Sequence, residues 1–166
     1  MIKKILYVLL AAFIIIQFIR PKQNSSAGPF PNHISTKFAI TDDVALILKT
    51  SCYDCHSNNS KYPWYYNIQP FTWWLQDHVN EGKKELNFSE FASFTPKRQR
   101  KKFNEIDEFV TEGKMPLESY TFIHRYAKLT AEQKAAIKKW CQESLATLPA
   151  PDPADETDKT KAENKK

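Results

Sequence analysis

Ser51-Cys52-Tyr53-Asp54-Cys55-His56-Ser57 is the stretch on which the reading of this chain turns. Two thiols two residues apart, with an imidazole directly after the second, have the spacing that attaches a c-type haem. Each sulfur can add to a haem vinyl group, and the histidine nitrogen then binds the iron from one face. Rival uses of paired cysteines fare worse. A thioredoxin-like redox pair needs a strand before it and a βαβ setting, neither of which is visible. A zinc site wants a second cysteine or histidine pair, which Cys141 alone does not make. A plain disulfide leaves the adjacent His56 unexplained.

Covalent haem attachment happens outside the bacterial cytoplasm, and the N-terminus supplies a route. Lys3 and Lys4 precede an apolar run from Ile5 to Ile19, broken only by Gln17 and closed by Arg20, Pro21 and Lys22. This reads as an export signal or an uncleaved signal-anchor over residues 1–20, with the remainder exported to the periplasm. The alternative is cleavage at Ser25-Ser26-Ala27, releasing a soluble periplasmic protein. The formal net charge of +5 owes most to Lys3, Lys4, Arg20 and Lys22, with no acid among the first 29 residues. A nucleic-acid-binding domain, whose cations should gather on the folded part, is therefore excluded. Three glycines against 13% aromatic residues point to a compact helical domain without a phosphate-binding loop.

Residues 21–37, with Pro21, Pro29 and Pro31, read as a linker, in which His33 is a solvated loop histidine. Residues 38–148 form the domain. Thr41-Asp42-Asp43 starts a helix with Val44, Ile47 and Leu48 on its apolar face, and the haem motif lies at its end. The aromatics from Tyr62 to Trp74 suit either the wall of a porphyrin crevice or an ordinary core. Pro70 and Gly82 bracket a helix over 71–81, whose apolar face would carry Phe71, Trp74, Leu75, His78 and Val79. Asn87-Phe88-Ser89 reads as a helix cap rather than a glycosylation site. Thr95-Pro96 opens another helix, buried through Phe103, Ile106, Phe109 and Val110 and ended by Gly113. Its cations, from Lys97 to Lys102, read as a solvated face, or else as a surface for an acidic redox partner. Thr130 to Gln133 is a capping box before a last helix with Ile137, Trp140, Cys141 and Leu148 inward. Cys141 there is a buried free thiol. From Pro149 the composition is that of a disordered tail, residues 149–166.

The far side of the iron has three candidates. Met115 follows a helix-ending glycine and precedes Pro116, and apart from Met1 it is the sole methionine. Its thioether is a soft ligand, and a His/Met pair raises the haem potential as electron carriers require. A core methionine is the plainer use. His78 and His124 are the alternative distal ligands, each also able to serve the core, a helix end or a haem propionate.

The apolar N-terminal run ending Gln17-Phe18-Ile19-Arg20-Pro21, the Cys52–His56 motif, Tyr62-Pro63-Trp64-Tyr65, Pro70-Phe71-Thr72-Trp73-Trp74-Leu75, His78 to Gly82, Leu86 to Glu90, Lys114-Met115-Pro116, Tyr120, His124 and Leu129-Thr130 together resemble the bacterial haem-binding domain family. The resemblance implies one covalent haem c held by Cys52, Cys55 and His56, with Met115 at the family's Met-Pro position. Leu117 departs from it, standing where a second proline often follows. No reaction is implied. The expectation is an all-α, cytochrome c-like domain tethered to the cytoplasmic membrane by its N-terminal helix. It would receive haem from the cytochrome c maturation machinery and pass single electrons to a redox protein partner. A haem-based sensor or gas-binding module, and a peroxidase-type enzyme, are the rival functions.

Overall fold

The computed structural model describes residues 1–150, so most of the tail expected from Pro149 lies outside the described residues. The described chain is all-helical, without strands: α1 (Ile2–Ile16), α2 (Asp42–Ser51), α3 (Tyr53–His56), α4 (Phe71–Glu85), α5 (Pro96–Thr111), α6 (Glu118–Ile123) and α7 (Ala131–Ala146), joined by short 3-10 turns.

The core forms where the helical stripes meet. Val44, Ile47 and Leu48 of α2, Phe103, Ile106 and Val110 of α5, and Ile137, Trp140 and Cys141 of α7 are all buried in one cluster. These stripes recur at three- and four-residue spacing, so each helix has one face that gains by leaving water. The most extensive helix contact is between α5 and α7. Phe38, Phe88 and Phe91 fill the space between them and α2 with edge-on and tilted ring contacts. Helix ends follow their local chemistry. Thr95 accepts from the Arg98 amide, Thr130 and Gln133 form the capping box, and Gly113 takes φ +75 after α5.

Three expectations change. First, α4 does not stop before Gly82 but runs through it to Glu85. Its buried residues are Thr72, Leu75, Gln76 and Val79, while Phe71 and Trp74 stand in solvent. Second, residues 21–37 pack on the domain. Ile34 is fully buried, and the Asn24 side chain donates to the Ser57 carbonyl at 2.8 Å and the Ser60 hydroxyl at 2.7 Å. His33 caps a 3-10 turn by accepting from the Ser35 amide, and its ring meets Tyr53 edge-on. Third, the spanning anchor expected over residues 1–20 is not supported. The helix covers only 15 residues, about 22 Å at 1.5 Å per residue. Among the described residues no helix is long and apolar enough to cross a membrane. The chain leaves the helix at Ile16 because the following side chains bond to the domain. Gln17 accepts from the Gln69 amide, and Arg20 donates to the Asn67 carbonyl.

Candidate functional site

The Cys52 amide still donates to the Leu48 carbonyl at the end of α2, but at φ −127 the residue departs from that helix. Its own carbonyl then accepts from the Cys55 and His56 amides at 3.2 and 2.9 Å, closing the single turn α3. The turn places Cys52, Cys55 and His56 along a cavity of about 470 Å³. Both cysteines are free thiols. Burial pushes Cys52 up to about 12 and Cys55 up to about 11, so both carry their protons at neutral pH.

His56 is held from behind. Its Nδ1 lies 2.9 Å from the Gly82 carbonyl and 3.0 Å from the Leu86 carbonyl. Both partners are acceptors, so Nδ1 carries the proton and Nε2 keeps the free lone pair. Burial also holds the imidazole below its usual pKa, which favours that neutral form. A donated second nitrogen is the arrangement that orients an iron-ligating histidine. The extension of α4 past Gly82 creates it. A glycine is required there because a Cβ would lie 2.9 Å from the Cys55 carbonyl oxygen, so α3 and α4 touch backbone to backbone.

The turn after α4, at Phe88 to Glu90, completes the support. The Phe88 amide donates to the His56 carbonyl at 2.8 Å, Ser89 Oγ accepts from the Asn58 amide, and Glu90 accepts from the Asn58 side chain. The Asn87-Phe88-Ser89 stretch therefore braces the motif; it is not chiefly a helix cap. Sequence reasoning missed this, and the one available signal was the density of Asn and Ser on both segments.

The other walls come from α5 and the loop after it: Ile106, Phe109, Val110, Met115, Pro116 and Leu117. The Met115 amide donates to the Phe109 carbonyl at 3.1 Å, which ties the loop to the helix end. Tyr120 Oη donates to Asp54 Oδ2 at 2.7 Å, joining α6 to the motif itself. Lys102 also lines the cavity, 7% exposed, paired with Glu105 at 2.7 Å and Glu85 at 3.4 Å. It was expected among solvated cations. Its spacing of four from Ile106 was the signal that put it on the buried side.

Of the alternative distal residues, His78 lines the cavity, with Nδ1 2.8 Å from the Trp74 carbonyl and its ring against Trp74. His124 does not. Its Nε2 meets Tyr65 Oη at 2.9 Å and its Nδ1 meets Tyr126 Oη at 3.1 Å, outside the cavity lining. The clustered aromatics do not wall the cavity either. Tyr65 and Tyr66 join Leu75 in a small separate core, while Trp64, Phe71, Trp73 and Trp74 are exposed. Cys141 is wholly buried as a free thiol.

An apolar chamber of this size suits a large flat cofactor, and the residues at its edge fit haem in kind: two thiols, an imidazole with a committed Nδ1, and a thioether. Among the described residues no three His, Cys, Asp or Glu side chains converge as a metal site, which leaves the zinc reading without a ligand set. Neither the curated proteins nor the solved structures compared with this chain include a match. A family model described as a haem-binding domain matches residues 11–143, most of the chain, and this protein therefore belongs to the haem-binding domain family.

Proposed function

We propose that the chain holds one covalent haem c and transfers single electrons, and that His56 and Met115 are the residues that would bind its iron. The supporting observation is the doubly accepted Nδ1 of His56, which leaves Nε2 as a lone pair beside Cys52 and Cys55. Cys52 and Cys55 would hold the haem through thioether bonds, each S–H adding across a vinyl double bond with its proton on the adjoining carbon and no oxidant needed. When bound, the haem supplies a one-electron iron couple. Around it the chain excludes water with Ile106, Phe109, Val110 and Leu117 and fixes the imidazole through Gly82 and Leu86.

Met115 is preferred to His78 as the second residue that would hold the iron because Met115 and His56 come from different walls of the cavity. His78 sits one turn before Gly82 on the helix that backs His56, whereas Met115 comes from the separate wall after α5. Of the charged side chains in the lining, Lys102 is paired with Glu105 and Asp54 with Tyr120, while Glu81 and His78 also line the cavity; a peroxidase would need an acid/base such as His78 beside the haem. The N-terminal run directs export, and α1, too short to cross a bilayer of ordinary thickness, would insert only where the bilayer thins around it, with the domain on the periplasmic side. A redox protein in the same compartment is the partner.

The test is a haem stain on a denaturing gel, together with the absorption spectrum of the purified holoprotein. Haem that stays with the chain and a six-coordinate low-spin spectrum support the proposal. Haem lost on denaturation refutes covalent attachment; a five-coordinate high-spin spectrum refutes the His/Met carrier and favours a gas-binding module.

A further inference from the structure

Trp64, Phe71 and Trp74 are 76%, 53% and 41% exposed, and Trp73 is 38% exposed. None of them lines the cavity. They lie on the 3-10 turn and the first turn of α4, the same elements that receive the end of α1. Trp73 Nε1 donates to the Ile19 carbonyl at 3.0 Å, Gln69 Nε2 donates to the same carbonyl at 2.7 Å, and Arg20 donates to the Asn67 carbonyl at 3.0 Å. No residue of α1 is buried. The apolar helix thus stands clear of the domain yet is pinned at its base to an aromatic surface.

We infer that this surface is the domain's seat on a lipid bilayer, with Trp64, Phe71, Trp73 and Trp74 at headgroup depth and α1 in the hydrocarbon. The inference rests on the reading of α1 as a bilayer-inserting helix. Its length supplies the argument. A helix of about 22 Å falls short of a hydrocarbon core of about 30 Å, while Lys3 and Lys4 at one end and Arg20 and Lys22 beyond the other need water or headgroups. Both ends reach them only if the bilayer thins and the domain settles into the near interface. Indole rings, apolar in body with one N–H donor, are the side chains that favour that depth.

The seat also places the cofactor. Trp74 at the surface packs at a tilt against His78 at the cavity, with ring centroids 4.4 Å apart. From Phe71 to Gly82, α4 rises by about 16 Å. The cavity is therefore held close to the membrane face, where a membrane-bound donor or acceptor can reach it.

The test uses the full-length holoprotein in phosphatidylcholine and phosphatidylglycerol vesicles that carry a photoactivatable carbene precursor on the lipid. Labelled peptides are mapped by mass spectrometry. The expected result is label on the peptide containing Tyr7 and on the peptide spanning Trp64 to Trp74, the latter about tenfold above the α7 peptide carrying Lys138 and Lys139. Label on the Tyr7 peptide alone overturns the seat and leaves insertion standing. Label on the aromatic peptide alone overturns insertion and keeps the seat, and label on neither overturns both. Crosslinks between copies at Trp64 to Trp74, in place of lipid, overturn the seat in favour of a dimer face. The double variant Trp64→Ser/Phe71→Ser should keep the haem spectrum and the label on the Tyr7 peptide while the label on the peptide from Tyr62 to Trp74 falls about tenfold; unchanged labelling of that peptide overturns the seat.

Discussion

His56 Nδ1 donates to the Gly82 carbonyl at 2.9 Å, and the Gly82 Cα lies so near Cys55 that a Cβ would sit 2.9 Å from its carbonyl oxygen. One residue of α4 therefore orients the imidazole and permits the contact between the two helices. Gly82→Ala should force α4 away from the motif at a cost of about 1–3 kcal/mol, against at most about 1 kcal/mol gained in helix propensity. A lower Tm together with a poorer haem yield is the expected outcome; an unchanged Tm would show that the backbone contact is slack.

Met115→Ala should remove the weak sulfur-to-iron charge-transfer band and lower the midpoint potential by something on the order of 0.1 V, within the ~0.8 V that axial ligands command. Visible and near-infrared spectra of the oxidised protein check it. If the band is unaffected, His78, which shares the cavity, is the ligand to replace next.

Burial holds His33 and His124 below the usual value of 6.5. The unfolded chain therefore binds more protons than the folded one once the pH falls below 6.5. Their contribution to stability is complete above that pH and is lost as the pH drops from it toward the folded-state values. Thermal denaturation of the full chain from pH 8 to pH 5 should show Tm falling over the acid half, with a shallower fall in His33→Asn.

Lys102 and Glu105 sit 2.7 Å apart, Lys102 in the cavity wall, and carry opposite charges into the same electrostatic environment. Lys102→Met should lower the haem midpoint potential and Glu105→Gln should raise it, because a nearby cation disfavours the oxidised iron. At an effective dielectric near 20 a unit charge roughly 12 Å away is worth about 1.4 kcal/mol, or some 60 mV for one electron. Redox titration of both variants reads the sign, and shifts in the same direction would contradict the charge argument.

Tyr120→Phe deletes the 2.7 Å bond to Asp54 that joins α6 to the motif. A hydrogen bond to a charged acceptor contributes about 1.5–3 kcal/mol, so Tm should fall by several degrees in a chain of this size. Asp54→Asn, which can still accept the bond, should lose less.

The capping box and the buried stripes of α2, α5 and α7 were legible because each is a local pattern, and the Cys52, Cys55 and His56 spacing is local in the same way. Thiol spacing, a cap three residues from its partner and a three-to-four periodicity are properties of contiguous residues. Gly82 was misread for the same reason. A glycine near the end of a helical pattern ordinarily marks its stop, and only the nearness of Cys55, 27 positions away in the chain, keeps this one inside α4. The aromatics from Tyr62 to Trp74 divided between a small core and open surface, a partition that composition does not encode.

By itself the sequence determined the spacing of Cys52, Cys55 and His56 and the all-helical framework, since both are short-range properties. Only the tertiary structure decided the setting of that chemistry: the Gly82 and Leu86 carbonyls behind His56, Lys102 turned into the cavity, Met115 and His78 brought to it and His124 kept out. Backbone carbonyls are the same in every residue, so which of them becomes an acceptor is set by how distant segments pack and leaves no mark in the order of side chains.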